Sequence, residues 1–469
     1  MTPKTGNILL KVIIGFLLMC LLVPNAQSVV YPSSSTPNGY RYYPLPQDTV
    51  GISMFLADVY KYYEAKKLRN DSIKLQLNED MKWGVDDMMR QQIPAFGFKP
   101  STSQAPALRQ LLVDSYTTFS AASSFKGSVR RVRPCRRLRE STFGVESATA
   151  SDFKPGSSSE FSFPSSHACT SWGIALLLTC MNPWNADTII SRGLAHSQSR
   201  VIGGVHWQSD VDAGKVLATA NYARMFGFSN LLDRLDQARA ETQSELGMSE
   251  QPSFEQMLAS DDTLALLTCR LPGPYEMTTP VGSCELAVLN ARMTHCTAAT
   301  VAAAKQQVDL STDNLLACFS SQLGTTITAE SHPATYALVD MHLRMCRKMH
   351  ALMQGRYNKP RPVDYFDFAN LPLTGEDVDS LRSSSPYPSL HSALGWTAAM
   401  VLMNLNPGNV NNILKQGVNI GENRIAVGAS WPGDVEMGRV VASIAYGYTT
   451  ACREYTDMAR AALTEFSIP

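Results

Sequence analysis

Apolar residues recur at three-to-four spacing from Phe55, Val59, Tyr62 and Tyr63 onward. The same period runs through the stretches around Ala107–Phe119, Ser171–Met181 and Asp210–Met225. That spacing predicts helices with a buried face, since a strand would alternate at every second residue. Long alternating β-branched runs are absent, and alanine, leucine and methionine are abundant, so the fold is expected to be all-α. Clusters of Gly, Pro and Ser punctuate the pattern. Ser141–Ser162 reads as a long polar loop, and Tyr31–Pro46 as an extended lead-in. Leu231–Glu250 reads as a charged, solvated helix joining two domains.

The pattern also repeats itself. Pro164-Ser165-Ser166-His167 returns as Pro388-Ser389-Leu390-His391, 224 positions on. Ser199-Arg200, His206-Trp207 and Asp210-Val211 return at the same offset as Asn423-Arg424, Ser430-Trp431 and Asp434-Val435. Trp172/Trp396, Asn182-Pro183/Asn406-Pro407 and Gly214/Gly438 keep the register. A shared register over about 50 residues implies a duplication, and 469 residues are enough for two helical bundles in tandem. The expected organisation is a signal peptide at 1–28, a catalytic domain at 29–230, a linker at 231–280 and a degenerate second domain at 281–469.

Composition narrows the class. The 41 basic and 41 acidic residues balance, so no global field favours a nucleic-acid partner. Lys4 and Lys11 precede an apolar run, Val12 to Val23, and Ala26-Gln27-Ser28 offers a cleavage site. This is the layout of a secretory signal peptide; a single membrane anchor is the alternative. Removal of the leader would leave an exported, periplasmic or secreted chain without membrane insertion. Nine cysteines follow Cys20, and any disulfides should favour the second half. Cys169 and Cys180, in an apolar helical stretch, read as core residues.

The chemistry gathers between Lys126 and Asp210. Lys126 and Arg133, seven apart, would lie two helical turns apart and face one anion, with Arg200 as a third cation. Ser165 and Ser166 offer donors at a turn opening a helix, where an anion is favoured. His206 and Asp210 stand four apart, so on one helical face the carboxylate would bond one imidazole nitrogen and leave the other free to attack. His167 would then protonate a leaving alkoxide. Taken singly, each histidine fits a core role and each basic run a solvated face. His206 with Asp210 also fits a pair of metal ligands, but no third ligand is clear.

Together, Lys126-x6-Arg133-Pro134, Pro164-Ser165-Ser166-His167 and Ser199-Arg200-x5-His206-x3-Asp210 resemble the three-part signature of the phosphatidic acid phosphatase type 2 and vanadium haloperoxidase superfamily. The stretch from Ser199 to Gly214 is similar to the soluble class A bacterial nonspecific acid phosphatases. The resemblance implies a helical-bundle phosphatase acting on small phosphomonoesters without a metal or other cofactor. It implies His206 as nucleophile through a phosphohistidine, Asp210 as its orienter and His167 as general acid. Lys126, Arg133, Arg200, Ser165 and Ser166 would hold the phosphate. The family places glycine where Ser166 stands: serine is strained there if the turn needs a positive φ, and serves if only a backbone N–H is needed.

The second copy is depleted. Arg361, His391, Arg424 and Asp434 persist, but Gln354, Leu390 and Ser430 replace Lys126, Ser166 and His206. Ser430 has no neighbouring base, so no reaction is expected there. Class A relatives tend to dimerise, and a fused inactive copy would fill the partner's place as an intramolecular pseudo-dimer. Three other readings fit the motifs. They are a phosphatase for lipid phosphates or pyrophosphates, a vanadate-dependent haloperoxidase, and a phosphate-binding protein without turnover.

Overall fold

The computed structural model describes residues 35–46, 53–145, 160–365, 372, 381–382 and 384–467. The expected signal peptide at 1–28 and residues 146–159 of the polar loop lie outside that set. The described chain is helical throughout, with a single isolated bridge between Val132 and Phe161. The first half contributes α1 (Ser53–Lys66), α2 (Asp71–Asp80), α3 (Val85–Phe96), α4 (Pro106–Ala121), α5 (Ser166–Met181), α6 (Ala186–Ile202), α7 (Gln208–Met225) and α8 (Ser229–Leu246). The second contributes α9 (Pro280–Thr294), α10 (Ala298–Gln306), α11 (Thr312–Ala317), α12 (Pro333–Gln354), α13 (Leu390–Leu402), α14 (Val410–Ala426), α15 (Pro432–Thr449) and α16 (Tyr455–Glu465).

α5 is the central rod of the first half. Every residue from Ala168 to Met181 is buried, which is why its sequence is apolar all round rather than striped. It packs against α6 and α7, as α13 packs against α14 and α15. Ser165 caps α5 by accepting from Ala168 N at 3.3 Å, and Ser389 caps α13 by accepting from Ser392 N at 3.4 Å. The repeated glycines explain how close these helices come. A Cβ on Gly214 would lie 3.0 Å from Ser165 O, and one on Gly438 only 2.5 Å from Ser389 O.

The halves meet along α7 and α15, and α1 packs on α9. Tyr222 and Thr450 share a hydroxyl hydrogen bond of 2.6 Å, and Arg224 donates to Asn404 Oδ1 at 3.0 Å. Pro32–Pro469 clusters as one compact unit.

Three expectations need correction. The charged helix after residue 230 is not a solvated connector, because α8 buries Leu231, Leu232, Leu235 and Ala238 and packs on α4 and α16. The lead-in is not simply extended: Gly39–Tyr42 is helical, and Tyr43 OH reaches Glu436 Oε1 at 2.6 Å. All nine described cysteines are free thiols, including the six from Cys269 onward; Cys169 and Cys180 are buried, as a core role requires.

Candidate active site

Lys126 and Arg133 converge without sharing a helix. The turn Lys126–Val129 ends at Arg130, whose φ of 53° is left-handed, and Arg133 lies in extended backbone. The predicted two-turn helical spacing is therefore wrong, although both side chains are buried in the same place. Lys126 Nζ donates to Ser162 O at 3.2 Å, and Arg133 Nη1 donates to Val205 O at 2.8 Å.

Arg133 Nη1 also lies 2.9 Å from His206 Nε2. A guanidinium only donates, so Nε2 presents its lone pair and the ring hydrogen sits on Nδ1. Nδ1 faces Asp210 Oδ2 at 3.4 Å, a charge contact too poorly aligned to count as a hydrogen bond. The expected Asp210–imidazole bond is thus not formed, nor do the two share a helical face: His206 precedes Trp207, the N-cap of α7. The physical reason is direction: Asp210 turns its oxygens to other donors. Oδ2 accepts from Trp207 N and Oδ1 from Arg131 Nη1, at 2.8 and 2.7 Å.

Arg131 was not singled out in the sequence. It is clamped between two buried carboxylates, Asp210 and Asp58, the latter at 2.7 Å from Nη2. Asp58, on α1, also accepts from Ser209 N at 3.0 Å, which pins the first turn of α7. Arg131 sits two residues before Arg133, so the signal lay inside the motif, whereas Asp58 carried none.

Ser165 spends its backbone N–H on Asp210 O, at 2.9 Å, tying the second motif to the third. Ser166 is helical, with no positive φ, so serine is unstrained in that slot. Its hydroxyl meets Ser123 Oγ at 2.7 Å. His167 Nε2 lies 3.4 Å from Met81 O, and its ring packs on Trp83 with centroids 4.5 Å apart. Met81 also approaches Arg200, Nη1 to Sδ at 2.7 Å. These residues, at the end of α2 and just beyond, were invisible to motif reasoning.

The pocket is electropositive. Burial, then Arg133, pushes the Lys126 ammonium down to about 7, with Asp210 opposing. Burial, then Arg133, lowers Arg200 to about 9, and burial lowers Arg133 to about 10. Burial holds both His206 and His167 well below the ordinary imidazole range; the next cause is Arg133 for His206 and Arg200 for His167. His206 is therefore neutral, and an oxyanion seated among the cations would relieve the repulsion between them.

The second half repeats the frame with altered groups. Lys359 takes the place of Arg131, bonding Asp434 Oδ1 at 2.7 Å and Glu285 Oε2 at 3.3 Å. Glu285 Oε1 accepts from Gly433 N at 2.7 Å, as Asp58 does from Ser209 N. Arg361 Nη1 donates to Ala429 O at 2.8 Å, as Arg133 does to Val205 O. Gln354 donates to Ser385 O at 2.7 Å. Ser430 is buried where His206 stands in the first half.

The PAP2 superfamily profile matches residues 110–230, which spans all three motifs of the first half. A non-specific acid phosphatase of Providencia stuartii is 32% identical over 198 residues, 42% of this chain and 77% of that protein. A non-specific acid phosphatase of Salmonella typhimurium is 29% identical over 145 residues, 30% of this chain and 57% of that protein. An acid phosphatase of Zymomonas mobilis is 30% identical over 142 residues, covering 30% of this chain and 53% of its own. The chain belongs to the PAP2 superfamily.

Proposed function

We propose that this phosphatase of the PAP2 superfamily hydrolyses small phosphomonoesters at the first-half site through a phosphohistidine on His206. The observation that carries the reading is the hydrogen bond between Arg133 and His206 Nε2, which leaves the ring hydrogen on Nδ1 toward Asp210, amid buried Lys126, Arg133 and Arg200. When substrate binds, Arg133 turns its N–H to a phosphate oxygen, and the freed Nε2 lone pair attacks phosphorus in line as the ester P–O bond breaks. His167 gives its proton to the departing alkoxide. Water then attacks the phosphohistidine, His167 takes a proton from that water, and inorganic phosphate leaves with His206 restored. The three cations hold the nonbridging oxygens as charge shifts between them.

Protonated His167 is disfavoured in the empty site by burial and by Arg200. The negative charge of bound phosphate offsets Arg200, so the acid form gains ground with substrate present and at acidic pH. The second half, without a nucleophilic imidazole, turns nothing over and serves the first as a duplicated, fused partner along α7 and α15. Export would follow cleavage of residues 1–28; among the described residues no helix is long and apolar enough to cross a membrane.

The test is to quench a reaction with radiolabelled aryl phosphate and map the label. Label on His206 is expected; label on another residue refutes the assignment. Peroxide-dependent halide oxidation that requires added vanadate would instead support the haloperoxidase reading.

A further inference from the structure

The second half has kept cations for which it has no chemical use. Arg424 is 1% exposed, and its Nε has no hydrogen-bond partner. Its Nη2 donates to Ala304 O. His391 Nε2 is also buried without a partner. Arg361 is close enough to oppose the charge on Arg424, and its own Nε and Nη2 are held by Ser384 at 2.9 and 3.0 Å.

The nearby carboxylates do not answer these groups. Asp434 gives Oδ1 to Lys359 and Oδ2 to Trp431 N, at 2.7 and 2.8 Å. Glu285 is divided between Lys359 and Gly433 N. Burying an unmatched guanidinium donor and an unmatched imidazole nitrogen is unfavourable. A half that only supplied packing would be more stable with apolar residues at both positions. A tetrahedral oxyanion supplies an acceptor for the Arg424 N–H, and its negative charge favours the protonated form of His391, from whose Nε2–H it then accepts.

We propose that the second half is a non-catalytic binding site for a phosphate group, held by Arg424 and His391 with Arg361 beside them. Ser430 suits that role, since a hydroxyl donates to a phosphate oxygen. It does not attack, because Asp434 is already engaged by Lys359 and Trp431 and offers no free base. The ligand is either inorganic phosphate, the product of the first half, or the phosphate of an unhydrolysed ester.

The experiment uses full-length His206→Ala protein, in which turnover is blocked and both sets of cations remain. Calorimetric titration with inorganic phosphate should give two equivalents per chain, and Arg424→Gln in that background should give one. One equivalent in the parent, or two in the Arg424→Gln protein, would overturn the proposal. If Arg424→Gln does not fold, a second pair of proteins decides. Lys126→Met with Arg200→Gln empties the first site and should leave one equivalent, which His391→Gln weakens at least tenfold; no weakening rejects the site. Glycerol 2-phosphate separates the sources, filling the second site if esters are accepted and failing to displace inorganic phosphate if they are not. The readout is stoichiometry without catalysis, so the result is independent of whether His206 carries the phosphoryl group.

Discussion

Asp210 and Asp434 occupy equivalent frames and lead to different outcomes. Each caps its helix through the backbone N–H of a tryptophan at 2.8 Å, and each holds a buried cation at 2.7 Å. Around Asp210 the cation is Arg131, shared with Asp58; around Asp434 it is Lys359, shared with Glu285. The difference lies one turn away, where His206 presents an imidazole nitrogen and Ser430 a hydroxyl with no base beside it. The ion clamp is therefore a scaffold common to both halves, and what differs is the few side chains placed upon it. Those side chains are where the comparison should break.

The largest effect is expected at His206. His206→Ala should lower phosphomonoester turnover by several orders of magnitude while circular dichroism and melting stay close to the parent, because groups acting as one unit fail together. Ser430→His added to that protein should not restore turnover, since Gln354 and Leu390 still replace the lysine and the small polar residue. Recovery of even a tenth of the parent rate would show that the second half is one substitution from activity.

Next comes His167. Its loss as alanine should cost about 10²–10⁴-fold with an alkyl phosphate, whose leaving group needs a proton, and much less with an aryl phosphate. Equal losses for the two substrates would remove His167 from the role of general acid.

The clamp itself gives a smaller catalytic effect and a clear stability effect. Arg131→Met leaves two buried carboxylates without their cation, which should cost about 3–5 kcal/mol in urea unfolding. Arg131→Lys borrows the second half's arrangement and should recover most of that loss. With the lysine variant folded, kcat is expected to fall more than KM changes, because Arg131 acts through Asp210 rather than on substrate. A lysine variant no more stable than Arg131→Met would show that the two clamps are not interchangeable.

The repeat made much of this readable in advance. Motif spacing singled out His167, Arg200, His206 and Asp210 as candidates, and three-to-four apolar periodicity announced an all-α chain. Helical phase misled where the backbone turns: Arg130 breaks the link from Lys126 to Arg133, and the cap at Trp207 separates His206 from α7. Asp58, Met81 and Trp83 escaped notice because a partner contributed from a distant helix has no fixed spacing from the motif it serves. Charge misled at α8, where polar residues on one face hid the leucines that bury the other.

Lys126 and Gln354 make the finest distinction between the halves, and pH exposes it. Burial and Arg133 push Lys126 down to about 7, so above that pH it is increasingly neutral and below it a cation. An anion binds the cationic form better, so first-site affinity should rise as pH falls toward 7 and then level off as far as Lys126 is concerned. Sulfate is the suitable probe, since its own charge is constant over this range. Its inhibition constant against an aryl phosphate should tighten by up to about tenfold for each unit the pH falls toward 7. Lys126→Met should weaken sulfate and flatten that dependence. The second half presents an amide at this position, which does not titrate, so sulfate bound there should lack the same step. A parent profile already flat between pH 7 and 9 would mean that Lys126 remains charged throughout, and the contrast with Gln354 would be a fixed charge rather than a titrating one.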